Sequence, residues 1–260
     1  LGSGPSCIVV YYHGVRKSEV PQFRWQMDQL LRAARPARVP FGNTFYSGDR
    51  YFAVTFDDGF VSTIEHGLPE LVSRNIPATL FVPADYLGRV PQWDHSAGGA
   101  ATEIVAAANV LRALPQELFS FGSHTMTHAN MVTSDHDAAA WELGESRRLL
   151  ESVLKCSITL FAFPYGKFTP AVAKMARDAG YQHVFTSEPS LTPMREQEWL
   201  IGRVSVTPND WPLEFWLKIR GAYNWQSMLH LLRVNMQRRL NRAQTAVKSH
   251  WEHRIVQKIS

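Results

Sequence analysis

Cysteine is nearly missing: Cys7 and Cys156 are the only two in 260 residues, and they do not form a Cys-x-x-Cys motif. The pair fixes no redox compartment and reads as two buried free thiols. Long apolar runs are missing too. No stretch of about 18 apolar residues occurs, which excludes a membrane-spanning helix in this sequence. There is no internal repeat and no low-complexity tract. Charge is sparse at 19% of residues, and its balance is only +4, which permits an anionic partner without demanding one and gives no reason to expect nucleic acid. The opening Leu1-Gly2-Ser3-Gly4-Pro5 lacks a methionine and reads as a trimmed product. No signal peptide is legible, so the compartment stays open between cell envelope and cytoplasm.

What is present suits a folded protein, with 45% hydrophobic residues and enough length for one large α/β domain or a domain with an appendage. Continuous apolar runs at 8–12, 51–56, 78–82, 118–121, 158–163, 183–186 and 200–206 read as strands covered on both faces. Helix-period segments lie between them. Phe23, Met27, Leu30 and Leu31 share one face, as do Ile64, Leu68, Leu71 and Val72. In a later helix Trp141, Glu145, Arg148 and Ser152 form the wet rows, and Leu149, Leu150, Val153 and Leu154 the apolar side. Thr169-Pro170 and then Gly180 give a cap, a first-turn proline and a terminal glycine in order. Some seven alternations of strand and helix predict a parallel sheet, either closed into a barrel or open and doubly wound. The domain spans 1–212. Beyond it, 213–260 reads as a basic helical extension: 224–260 holds neither glycine nor proline, and Arg233, Arg238, Arg239 and Arg242 interleave with Leu229, Leu232, Met236 and Leu240. Its basic face is either simply solvated or a contact for a membrane surface or assembly partner.

Three motifs stand at strand ends, where βα proteins gather their chemistry. Thr55-Phe56-Asp57-Asp58-Gly59 places two carboxylates side by side but pointing apart, so that one can bind a metal while the other faces a water on it. Ser123-His124-Thr125-Met126-Thr127-His128 places two histidines four apart, able to converge on one ion. Together with an Asp they leave open positions for water and substrate, as a hydrolytic site requires. Phe161-Ala162-Phe163-Pro164-Tyr165-Gly166 forms a turn that can expose a backbone N–H toward an oxyanion. Each motif alone also suits an ordinary structural role.

Taken in this order, the three motifs resemble the polysaccharide deacetylases of carbohydrate esterase family four, the NodB-homology domain, over about residues 8–206. The resemblance implies a distorted (β/α) barrel of about seven strands and one divalent metal ion, zinc first, with nickel, cobalt or iron as alternatives. It implies Asp57 as general base, Asp58, His124 and His128 as metal ligands, and Tyr165 as the oxyanion donor. Two departures follow. The family often carries an arginine two residues before the motif proline, where Ala162 stands here. Arg203 is the candidate substitute for orienting the base, or else an ordinary salt-bridged arginine. A C-terminal Leu-x-His is also missing near Val204. Val10-Tyr11-Tyr12-His13-Gly14 instead resembles the subgroup acting on poly-N-acetylglucosamine, in which the barrel is circularly permuted and the acid moves to the first strand. That implies His13 as general acid, against a histidine merely capping a strand.

Phe60, Trp93 and Pro164 are the candidate substrate contacts, with Trp211 a further loop aromatic. The expected activity is removal of N-acetyl groups from an amino-sugar polysaccharide. The alternatives are a deacetylase of a small amide or peptidoglycan fragment, and a non-catalytic carbohydrate-binding scaffold.

Overall fold

The computed structural model describes residues 6–41, 46, 48–93, 103–193 and 198–222. The elements run β1 (Ser6–Tyr12), α1 (Val20–Ala33), β2 (Arg35–Pro36), β3 (Arg50–Phe56), a π-type turn Thr63–Gly67 leading into α2 (Leu68–Val72), β4 (Ala78–Val82), α3 (Ala108–Arg112) and β5 (Phe119–Ser123). Then follow α4 (His136–Leu154), β6 (Leu160–Ala162), α5 (Pro170–Asp178), β7 (His183–Thr186), β8 (Leu191–Pro193), β9 (Leu200–Gly202), β10 (Val204–Ser205) and α6 (Pro212–Ile219).

The strand order is β10-β1-β3-β4-β5-β6-β7-β9, every pair in it parallel. β9 and β10 are one stretch of chain interrupted at Arg203. Its first half pairs with β7 and its second half with β1, so this single segment closes the sheet into a seven-stranded barrel. The sequence reads 200–206 as one strand; the break comes from this change of partner. Two short strands escape the sequence pattern: β2 beside β3, and β8 antiparallel to the start of β1.

The strands bury both faces, and the two faces separate by parity. Cys7, Val9, Tyr51, Ala53, Phe81, Leu160, Ala162, Phe185 and Ile201 form one buried cluster, the barrel interior. The intervening Ile8, Val10, Tyr12, Phe52, Val54, Phe56, Leu80 and Val82 belong to a larger cluster shared with the helices. Period-2 geometry under helical cover produces this division, and it explains why the sequence shows runs rather than alternation. Cys7 is buried and Cys156 half-buried, both free.

The helices follow their sequence signals closely. Thr169 caps α5 by accepting from the Val172 N–H, Pro170 opens it, and Gly180 adopts φ +94° after its end. α1 buries Phe23, Met27 and Leu30, but Leu31 falls at the exposed edge, as Val72 does on α2. α6 starts at Pro212 and buries Phe215 and Ile219 in the larger cluster. The remainder of the basic extension, 223–260, lies outside the described residues. Among the described residues no helix is long and apolar enough to cross a membrane.

Candidate metal centre and active site

Parallel register brings the motif residues to one mouth. Tyr12 pairs with Phe56, so His13 and Asp57 leave neighbouring strand ends, and the Asp57 N–H donates to the Tyr12 carbonyl at 2.8 Å. Asp57 continues the inward parity of Tyr51, Ala53 and Thr55, whereas Asp58 turns the other way at φ +65°. Gly59 follows at φ +61°, a backbone that suits glycine. Across β4, Val82 pairs with Ser123, and the His124 N–H donates to the Val82 carbonyl.

Asp58, His124 and His128 are all buried, and one ligand atom from each lies within 4.8 Å of the others. His124 Nε2 is 3.8 Å and His128 Nε2 3.3 Å from Asp58 Oδ1. That oxygen is buried without a hydrogen-bond partner among the described residues. A buried carboxylate oxygen faced by two imidazoles but bonded to neither fits a divalent cation, and an N2O donor set suits zinc. His124 Nδ1 lies 2.8 Å from the Ala162 carbonyl. A carbonyl oxygen only accepts, so Nδ1 carries the hydrogen and Nε2 offers its lone pair to the site. Burial pushes the His124 pKa down to about 4 against the pull of Asp57, with His128 adding to the depression. Burial acts to raise the Asp58 pKa, but contact with His128 and the nearby His124 and His13 bring it down to about 2. Both shifts leave the donors in their metal-binding protonation states near neutral pH.

Asp57 meets Arg203. The guanidinium is fully buried and grips both carboxylate oxygens, Nη1 to Oδ1 at 2.6 Å and Nη2 to Oδ2 at 2.8 Å. It also donates to Thr55 Oγ1 and the Thr186 carbonyl, and lies 4.5 Å from the Tyr11 ring centroid. Burial would raise the Asp57 pKa; Arg203, joined by His124 and His13, holds it below the usual carboxylate value. Ala162 supplies no guanidinium. It supplies the carbonyl that orients His124, while the seam of the barrel delivers Arg203 to Asp57.

His13 is exposed at the mouth, its ring 5.7 Å from that of Tyr11, and its charge acts on both Asp57 and Asp58. Tyr165 sits in the turn Pro164–Gly166 at φ +58°, half exposed, with its ring edge against His128 at 4.7 Å. Trp93 stacks on the other side of His128 at 4.0 Å. One face of that indole is therefore covered by the histidine.

Two candidate contacts need correction. Phe60 is 6% exposed, packs in the larger core cluster and bridges Val105, so it offers no ring face to a sugar. Pro164 is buried at the start of its turn and likewise presents no surface. In both cases the chain turns inward directly after a strand end, which sequence position alone does not reveal. Sequence reasoning also missed Glu142 and Ser146. Both lie buried on α4 on the side of Ala139, Leu143 and Leu150. A carboxylate set into an apolar helical stripe was the available signal.

The sequence model of the polysaccharide deacetylase family matches residues 46–184, more than half of the chain. The chain belongs to the polysaccharide deacetylase family. YxkH of Bacillus subtilis (strain 168) is 23% identical over 211 residues, covering 77% of this chain and 71% of that protein. The structure of IcaB from Ammonifex degensii superposes with a TM-score of 0.66 at 25% identity, covering 84% of this chain and 97% of that one. The deacetylase PplD of Streptococcus pyogenes gives a TM-score of 0.68 at 16% identity, covering 83% and 99%, a likeness of fold. Family membership makes this deacetylase a hydrolase acting on an acetylated polysaccharide, and its barrel is the distorted (β/α) barrel of that family.

Proposed function

We propose that this deacetylase removes N-acetyl groups from a polymer of the poly-N-acetylglucosamine kind, using one divalent ion, zinc by preference, held by Asp58, His124 and His128. The observation that carries the reading is the buried, unbonded Asp58 oxygen between two imidazoles, beside a second carboxylate locked by Arg203. A bound divalent ion supplies polarisation of the acetamide carbonyl and acidification of the attacking water.

The remaining work belongs to the chain. Asp57 takes the proton of the attacking water. Arg203 fixes the plane of that carboxylate and keeps it ionised at working pH, as a general base must be. The Tyr165 backbone N–H, in a turn held left-handed beside His128, donates to the oxygen on which charge develops. His13 delivers a proton to the departing nitrogen, since an amine anion leaves too poorly at neutral pH. Its position directly after the first strand, at the same mouth as Asp57, supports that role, and the Tyr12-His13-Gly14 ending supports the amino-sugar substrate. The scaffold alternative drew on the arginine missing at 162; with Arg203 on Asp57 that reason no longer stands.

The test is acetate release from defined N-acetylglucosamine oligomers. Release should require added zinc after chelation and should fall to near background in Asp57→Asn, which keeps the metal. Release indifferent to chelation and to Asp57→Asn would contradict the reading. Release only from small amides or peptidoglycan fragments would contradict the substrate assignment.

A further inference from the structure

We propose that Glu142 is a positioning residue that sets the direction of His128 by clamping the three-residue loop between the paired histidines. The loop is strained at both ends: Thr125 has φ +66° and His128 φ +60°. A β-branched residue in the left-handed region persists only where its surroundings over-determine it. α4 supplies the constraint. The Glu142 carboxylate, buried at 5% exposure, accepts from the Met126 N–H at 2.7 Å, the Thr127 N–H at 3.0 Å and the Thr127 hydroxyl. One turn further along α4, Ser146 Oγ accepts from Ser123 Oγ at 2.8 Å, just ahead of His124. Within the loop, Thr125 Oγ1 accepts from the Ala129 N–H at 3.2 Å.

The two histidines depend on this clamp unequally. His124 is oriented through its own ring by the Ala162 carbonyl. His128 Nδ1 is buried with no hydrogen-bond partner among the described residues, and its ring meets the rings of Trp93, Tyr165 and His124, none of which bonds that nitrogen. Its direction therefore follows the backbone that carries it, and Glu142 holds that backbone. A metal-bound histidine is ordinarily oriented through its second nitrogen. Here the orienting contact is moved from the ring to the loop.

The inference rests on the metal centre proposed above. Zinc affinity measured by chelator competition separates the two. The full chain should bind zinc, Glu142→Leu should bind it about 10- to 100-fold more weakly, as expected for loss of an outer-shell partner, and Glu142→Gln should stay close to wild type. The amide oxygen still accepts from the two N–H groups, and its nitrogen donates to the Thr127 hydroxyl. Thr127→Val should weaken binding in the same direction and Thr127→Ser should not, which carries the test if Glu142→Leu fails to fold. A folded Glu142→Leu protein with unchanged zinc affinity would overturn the clamp alone. So would a Gln variant as weak as the Leu variant, or an unchanged Thr127→Val. Wild-type protein that takes up no zinc would overturn the metal centre, and the clamp with it.

Discussion

Arg203 holds a full charge with no exposed surface, which is tolerable only because Asp57 meets both ends of its guanidinium and Thr55 and Thr186 take up further N–H groups. Removing the cation strands a buried carboxylate. Arg203→Met should therefore destabilise the fold by roughly 3–5 kcal/mol, read by denaturant unfolding. The Asp57 pKa should rise, and since the base must be ionised, the acidic limb of the kcat/KM–pH profile should move to higher pH. An unmoved limb would detach Arg203 from the base. The acid role proposed for His13 is tested separately. His13→Ala should keep zinc affinity near wild type, lower kcat by roughly 10²- to 10⁴-fold and abolish the basic-side fall in rate; an unchanged kcat would leave the acid role unfilled. The metal-free protein should also be acid-labile. His124 is lowered from 6.5 to about 4 and Asp58 from 3.8 to about 2. Both folded-state pKa values are depressed, so the unfolded chain binds more protons as pH falls. The stability present above 6.5 is lost toward about 4 through His124, on the order of 3 kcal/mol, and further below 3.8 through Asp58. Thermal melts of the chelated protein from pH 7 to 4 check this; a flat melting temperature would contradict it.

At the scale of elements, the strand ends carry the site, and small residues let them meet. On β5, Gly122 lies against Phe81 and the Leu160 backbone; a Cβ there would sit 2.5 Å from the ring and 3.0 Å from the Leu160 oxygen. Gly122→Ala should cost about 1–3 kcal/mol by overpacking. It should also weaken zinc binding, because Ser123 and His124 follow immediately; unchanged melting and binding would show that the ring moves freely aside. All seven principal strands were legible in the sequence, because a strand covered on both faces must be apolar throughout. Asp57, Asp58, His124 and His128 stand out in the sequence only through the order of their motifs at strand ends, since each motif alone also suits a structural role. The inward turn of Phe60 and Pro164 was not legible, since facing at a strand end depends on how the next turn folds. The sequence points to Arg203 only through the arginine missing at 162, and the change of partner between β9 and β10 shows how it reaches Asp57. Glu142 does not stand out in the sequence, because the outward rows of α4 with Trp141, Glu145 and Arg148 make every charge on that helix look solvent-facing.

The described residues form a barrel whose last wall segment ties β7 to β1, so the carboxyl ends of its parallel strands form one rim. Closure brings Asp57 from β3, the histidine pair from β5 and Arg203 from the seam to one place, though up to 146 residues separate them along the chain. On the function proposed above, this convergence holds a metal ion beside Asp57. Anomalous scattering from zinc-soaked crystals checks it. One strong peak is expected at about 2.0–2.2 Å from Asp58 Oδ1, His124 Nε2 and His128 Nε2, with Asp57 nearby but not bonded to the ion. No peak between these three side chains, with zinc present at saturating concentration, would contradict it.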